Sequence, residues 1–236
     1  MSLSPTDRIF VALDTPDVNL AVSLAEKLQG HVGGVKLGME FYYANGPQGA
    51  RAVTAVGMPL FLDLKFHDIP NTVAGAVRST LELNPAILNV HAQGGPAMMQ
   101  AAGAALDGAD GEKPLLIAVT VLTSLGDDDL EAIGVNDGAE NQVVRLAKLT
   151  QTCGLGGVVC SPREIKAIRT ACGPDFKLVV PGIRPEWAAA GDQKRITTPA
   201  QAIRDGADYI VIGRPITGAD NPVDAAKRIA DELAGL

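Results

Sequence analysis

The sequence predicts an α/β fold, a single (β/α)8 TIM barrel spanning residues 1–236. Three observations lead there. Eight short runs rich in Val, Ile and Leu recur along the chain, each bounded by Gly, Pro or Asp. Most of them are continuous apolar runs rather than alternations, as parallel strands covered on both faces require. The segments between them carry helical spacing, so strand and helix alternate from one end to the other, and that order closes a parallel barrel.

The strand candidates are RIFVALD (8–14), VGGVKLG (32–38), PLFLDLK (59–65) and AILNVHA (86–92), then PLLIAVTVLT (114–123), GGVVCS (156–161), FKLVVPGI (176–183) and DYIVIG (208–213). Between the third and fourth, Val73, Val77 and Leu81 recur every four residues, with Asn71 or Thr72 placed to cap the helix. The last helix has Asn221 as its cap, Pro222 at its first position, and Ile229 and Leu233 on one face. An open doubly wound sheet is the alternative, but no G-x-G-x-x-G follows the first strand. No Pro/Gly/Ser-rich linker or shift of composition divides the chain.

With 47% hydrophobic and 20% charged residues, the composition is that of a soluble globular protein. No apolar run approaches the roughly 20 residues that span a bilayer. The start, MSLSPTDRIF, lacks a basic stretch followed by an apolar one, so a cytoplasmic protein is expected. Cys153, Cys160 and Cys172 are odd in number and form no C-x-x-C pair, which disfavours structural zinc and suits a reducing compartment. A net charge of −7 argues against nucleic acid or an anionic membrane as partner. An anionic small ligand remains open, because a local cluster of cations overrides global charge.

In this fold the chemistry sits at the C-terminal ends of the strands. The polar residues there are Asp14, Lys36, Asp63, Lys65, Asp68, His91, Thr123, Arg184 and Arg214. Asp63 and Lys65, two apart, share a strand face and point into the mouth, with Leu62 and Leu64 turned to the helices. They form either a structural ion pair or part of an alternating array with Asp14 and Lys36. In such an array each cation lowers its neighbours' carboxylate pKa and keeps the lysines protonated, as proton donors rather than nucleophiles. Asp68 is slightly early to cap the following helix. Gly213-Arg214-Pro215 ends the eighth strand, where phosphate commonly binds this fold, and an arginine there can grip phosphate through two hydrogen bonds. The long loop after the seventh strand, flanked by Pro181, Gly182 and Gly191 and carrying Arg184 and Gln193, is either a lid or a solvated surface loop. Trp187 within it is a lid anchor or simple packing. His31, His67 and His91 have no metal-ligand spacing, and Asp127-Asp128-Asp129 reads as a solvated helix start.

The stretch FLDLKFHDIPNTV resembles the D-x-K-x-x-D-I-P-x-T signature of the orotidine 5′-phosphate decarboxylases. The resemblance continues through VALD, VKLGMEFYY, NVHAQGG, IAVTVLTS, GVVCS, PGIRP, DQKR and VIGRPIT, covering nearly the whole chain in the pattern of the shorter bacterial form. It implies conversion of orotidine 5′-phosphate to uridine 5′-phosphate in pyrimidine biosynthesis, without metal or organic cofactor, by a homodimer. It also implies that Lys65 donates a proton to C6, Asp63 holds it, and Lys36 and Asp14 bind ribose and complete the array. Asp68 and Ile69 would come from the partner subunit, with Thr72 near the ligand. Thr123 and Ser124 would meet the pyrimidine. Pro181 would line the ligand, and Arg184, Gln193, Gly213 and Arg214 would hold phosphate. Two rival readings are a Mg²⁺-dependent phosphosugar decarboxylase, such as one acting on 3-keto-gulonate 6-phosphate, and a barrel that binds a phosphate ligand without catalysis.

Overall fold

The computed structural model describes residues 3–108, 111–188 and 197–236. Eight strands pair in chain order and close on themselves: β1 (Ile9–Ala12), β2 (Gly34–Gly38), β3 (Leu60–Phe66), β4 (Ile87–His91), β5 (Leu115–Val119), β6 (Gly157–Val159), β7 (Lys177–Pro181) and β8 (Tyr209–Ile212). Every pairing is parallel, and β1 meets β8 through Phe10 opposite Val211. Helices lie between consecutive strands, as the alternation of periods predicts.

The strands stop short of the apolar runs that announce them. β6 is only three residues long, so β5 loses its partner after Val119, and the last ladder-like bond runs from the Thr120 N–H to the Val159 carbonyl at 3.3 Å. Thr123, expected at a strand end, therefore lies in a turn of the following loop, exposed, with Ser124. The helix after β3 is also corrected. It spans Pro70–Leu81 with Ile69 in the capping position, and neither Asn71 nor Thr72 caps it. Proline fixes its own φ, needs no N–H partner and drives the residue before it into extended geometry, so it opens the helix one residue early. Ile69 accordingly has φ −60° and ψ 153°. At the last helix, Pro222–Ala234, the expectation holds: the Asn221 side chain accepts from the Val223 and Asp224 N–H groups.

The core has two parts separated by the strand wall. The larger lies between strands and helices and contains Leu62 and Leu64. The smaller fills the barrel interior with Phe10, Ala12, Phe61, Ile87, Ile117, Val179 and Val211. Phe10 fits because β2 carries Gly34 beside it, where a Cβ would lie 2.5 Å from the ring. Phe10 meets Phe61 and Tyr209 edge to face, at centroid distances of 6.4 and 5.6 Å. The interior is thus a closed apolar plug, and the charged residues sit above it.

At the other end of the barrel, Arg169 ties three segments together. Its guanidinium donates to the carbonyls of Gly173, Pro174, Phe176 and Gly206 and to the Asp208 carboxylate. It thereby fixes the turn before β7 against the turn before β8. Only a planar fork of donors reaches all of these at once. Replacement of Arg169 by Ala is expected to lower unfolding stability by about 2 kcal/mol or more, since several carbonyls and a carboxylate lose a charged donor. Arg169→Lys should recover less than half of that loss. Urea unfolding checks both, and unchanged midpoints would refute the assignment.

Candidate active site

Four charged side chains form a continuous line across the top of the plug. Lys36, on β2, donates to Asp14 Oδ1 at 3.0 Å and faces Asp63 Oδ2 at 3.5 Å. Lys65 donates to Asp63 Oδ1 at 2.6 Å. The sequence Asp14–Lys36–Asp63–Lys65 therefore alternates in sign, as the spacing predicts. Its middle is the most buried part: the side chains of Lys36 and Asp63 are 10% and 13% exposed, against 57% for Asp14 and 23% for Lys65 at the ends. Buried charges of this kind persist only when paired.

Local backbone makes the line possible. Gly38 follows Lys36 on the same strand face, and a Cβ there would stand 3.0 Å from Lys36 Nζ and 3.4 Å from Asp14 Oδ1. Glycine leaves that space to the ammonium group. Lys65 departs from the strand: its φ is +53°, in the left-handed region, and the β3–β4 register slips between Leu62 and Phe66. Such a conformation costs an L-residue about 1–2 kcal/mol, and strain of this sort gathers at functional sites. The simple alternation that predicts a shared face for Asp63 and Lys65 thus fails at Lys65, yet the two side chains still meet.

A residue that sequence reasoning passed over explains why. Asn89, in the middle of β4, is fully buried. Its Oδ1 accepts the Lys65 N–H at 2.8 Å, and its Nδ2 donates to Asp63 Oδ1 at 2.7 Å. The signal was present: a lone asparagine inside the apolar run AILNVHA needs partners. Burial pushes the Asp63 pKa up, but the charges of Lys36 and Lys65 and the bonds from Lys65 and Asn89 outweigh it. Asp63 is held below the usual carboxylate range.

Asp68 stands apart. It is exposed, its Oδ1 accepts from the Ile69 N–H at 2.6 Å, and among the described residues it forms no ion pair. Ile69, 67% exposed, and Thr72 share that exposure. On the opposite side of the mouth, Pro181 ends β7 and pairs with Val211 of β8. Arg184 is buried, and its N–H donates to the Thr197 carbonyl at 3.1 Å. Gly213 precedes the short helix Arg214–Thr217, with Arg214 exposed at its start. A Cβ at Gly213 would meet only Ala12, at an ordinary 3.6 Å, so packing within the chain does not require glycine. Gln193 lies outside the described residues. Trp187 packs against the main core, with the Arg228 guanidinium 4.7 Å from its ring centroid. The cysteines are unpaired, and burial pushes the Cys160 thiol pKa up.

Comparison with known proteins fits this geometry. A family model described as the Orotidine 5′-phosphate decarboxylase / HUMPS family matches residues 7–229. The chain belongs to that family. Its similarity to members of the orotidine 5′-phosphate decarboxylase / HUMPS family runs nearly end to end. It is 53% identical over 232 residues to the orotidine 5′-phosphate decarboxylase of Paramagnetospirillum magneticum, covering 95% of this chain and 97% of that one. It is 56% identical over 235 residues to the enzyme of the same name from Rhodospirillum rubrum, covering 96% and 94%. The crystal structure of orotidine 5′-phosphate decarboxylase from Lactobacillus acidophilus superposes with a TM-score of 0.85 at 38% identity, covering 95% of this chain and 98% of that one.

His91 ends β4 beside this array, its ring centroid 5.4 Å from that of His67. Among the described residues its buried Nδ1 has no hydrogen-bond partner. Burial, then the charges of His67 and Lys65, push its pKa down to about 4, against an opposing pull from Asp63. Below an unfolded value of about 6.5, the unfolded chain binds a proton that the native state refuses. Stability should therefore be fully present above about pH 6.5 and fall as pH drops towards 4. The depressed Asp63 pKa acts in the same direction at lower pH. In His91→Gln the loss between pH 6.5 and 4 should shrink. Denaturant titrations across that range test this, and parallel wild-type and variant curves would count against it.

Proposed function

We propose that this chain decarboxylates orotidine 5′-phosphate to uridine 5′-phosphate, without a metal or organic cofactor, using Lys65 to protonate C6. The observation that carries the reading is the line Asp14–Lys36–Asp63–Lys65, with Lys65 held at 2.6 Å from Asp63 above an apolar plug. Relatives about half identical over nearly the whole chain bear the name of that activity, which supports the substrate.

The chemistry asks for this arrangement. When the bond from C6 to the carboxylate breaks, its electron pair stays on C6 in an sp² orbital with no adjacent group to delocalise it. A fixed ammonium group stabilises that charge, and its effect is greatest where water is excluded. Lys65 Nζ then gives a proton to C6 as CO₂ leaves, and the neutral amine takes one back from water. Asp63 keeps the ammonium group oriented until that moment. A carboxylate beside the departing carboxylate also repels it, and the repulsion eases as neutral CO₂ forms. Lys36 and Asp14 bind ribose hydroxyls, Thr123 and Ser124 meet the pyrimidine, and Pro181 lines the pocket. Arg184, Gln193, Gly213 and Arg214 hold phosphate. Gripping the unreactive phosphate supplies binding energy that closure over the reacting end can use.

In this reading the active form is a homodimer of single-domain barrels, residues 1–236, in the cytoplasm. Asp68 and Ile69 enter the neighbouring subunit's site, and Thr72 touches ligand nearby. Their exposure supports it, as does the apolar surface of Met39, Tyr43 and Ile69 after β2 and β3, which are 44%, 78% and 67% exposed.

The direct test is loss of orotidine 5′-phosphate ultraviolet absorbance with EDTA present, for wild type and Lys65→Ala. Turnover by wild type and a loss of at least about 10³-fold in kcat for the variant are expected, since donor and transition-state cation disappear together. No turnover by folded wild type would reject the substrate, and keto-sugar phosphates with Mg²⁺ would be tried next. Sharing of the site has its own test. Inactive Lys65→Ala and Asp68→Ala homodimers, mixed under confirmed subunit exchange, should regain activity through hybrids holding one intact site. No recovery would place Asp68 in its own subunit's site.

A further inference from the structure

Two features of the described residues that lie outside the roles assigned above are the His67–His91 pair and Asn89. Asn89 is the one whose contacts all lead to the reacting groups. Its carboxamide makes two hydrogen bonds, one to the backbone N–H of Lys65 and one to the carboxylate of Asp63. Lys65 Nζ donates to the same Asp63 oxygen, Oδ1. The four groups close a ring: Lys65 backbone, Asn89 amide, Asp63 carboxylate, Lys65 ammonium. Two points of the same lysine are thus fixed, one at each end of its side chain.

That double grip answers a physical difficulty at Lys65. Its left-handed backbone, φ +53°, is disfavoured for any residue with a Cβ. A long side chain with free rotors also resists being held at one place. The register slip of β3 leaves the Lys65 N–H outside the regular ladder with β4, and the Asn89 side chain accepts it instead. A buried asparagine serving only the fold would satisfy its amide within the wall. Here both ends of the amide turn to the site, and the residue is fully buried.

We propose that Asn89 is a positioning residue of the reaction, setting the left-handed turn of Lys65 and the rotamer of Asp63 so that the ammonium group is delivered to one fixed point. This rests on the decarboxylase reading given above. It requires Asn89 as both acceptor and donor, and residues of other shapes or polarity break one bond or both. The charged groups around Asp63 are Lys36 on β2 and Lys65 on its own strand, with Asp14 reached through Lys36 and the titratable ring of His91 on β4 nearby.

The test compares wild type, Asn89→Ala and Asn89→Asp for kcat, KM, uridine 5′-phosphate binding and the pH dependence of kcat/KM. Asn89→Ala should lose about 10²-fold in kcat, the scale of a misplacement near 1 Å, while binding of uridine 5′-phosphate changes less than about threefold, because ribose and phosphate contacts remain. Asn89→Asp is nearly isosteric, so it keeps volume and the acceptor for Lys65 while setting a second carboxylate against Asp63. Its acid limb should move up by about one pH unit or more, since two adjacent carboxylates do not both ionise. Activity is normalised to sites counted by nucleotide binding, so a purely structural loss changes the count and not kcat per site. Per-site kcat within about twofold of wild type in Asn89→Ala, or an unmoved acid limb in Asn89→Asp where alanine does not fold, would overturn the inference alone. Failure of wild type to turn over orotidine 5′-phosphate would overturn the functional reading and this inference with it.

Discussion

One carboxylate organises the top of this barrel. The Asp63 side chain is 13% exposed, and groups from three strands converge on it: Lys65 from β3 and Asn89 from β4 donate hydrogen bonds, and Lys36 from β2 faces it as an ion pair at 3.5 Å. A buried anion in a low-dielectric setting is costly unless such donors are fixed around it. Each donor in turn depends on the anion. Among the described residues, Lys36, itself buried, has only Asp14 to neutralise it once Asp63 is gone, and Asp14 is more than half exposed. The barrel's register supplies the geometry, for Gly38 lies directly opposite Asp63 in the β2–β3 ladder and leaves room for the Lys36 ammonium. Charge, strand order and the placement of a glycine are therefore one constraint seen from three sides.

Beneath that network the interior is apolar and full. The plug keeps the line of charges at the C-terminal ends of the strands, where the loops can reach it, and keeps water from approaching it from below. The site also divides laterally. Asp14, Lys36, Asp63, Lys65 and Asn89 are mutually bonded, whereas Asp68, Ile69 and Thr72 project into solvent from the next turn of chain. In the reading proposed above, that exposed half meets a neighbouring subunit. Asp68 is exposed and so pays little for its charge, and its local bond from the Ile69 N–H asks nothing of the rest of the fold.

Much of this was legible in the sequence, for reasons that are physical. Eight runs of Val, Ile and Leu separated by helical spacing leave few folds other than a closed parallel barrel. Charged residues at the ends of apolar strands are expensive, which singles out Lys36, Asp63 and Lys65 before any coordinates. What stayed hidden was decided by tertiary context. The period of two places Asp63 and Lys65 on one face but does not foresee that Lys65 itself takes the left-handed conformation. Thr123 looks like a strand residue because its run is apolar, and it leaves the sheet because β6 ends first. Asn71 and Thr72 have capping side chains, but Pro70 starts the helix before them. Asn89 was concealed by its neighbours, a single amide within a run whose hydrophobicity drew attention to packing. Arg169 was invisible because its partners are carbonyls, which every residue has.

The left-handed backbone of Lys65 has a consequence for the history of the sequence. At that position conformation favours glycine or asparagine, and chemistry, on the reading proposed here, wants an amine at the end of a long chain. The two demands point to different amino acids. A lineage under pressure for stability alone would drift away from lysine there, and one that keeps it is accepting a standing conflict within a single residue. On that reading, position 65 is a place where thermal robustness and turnover pull in opposite directions.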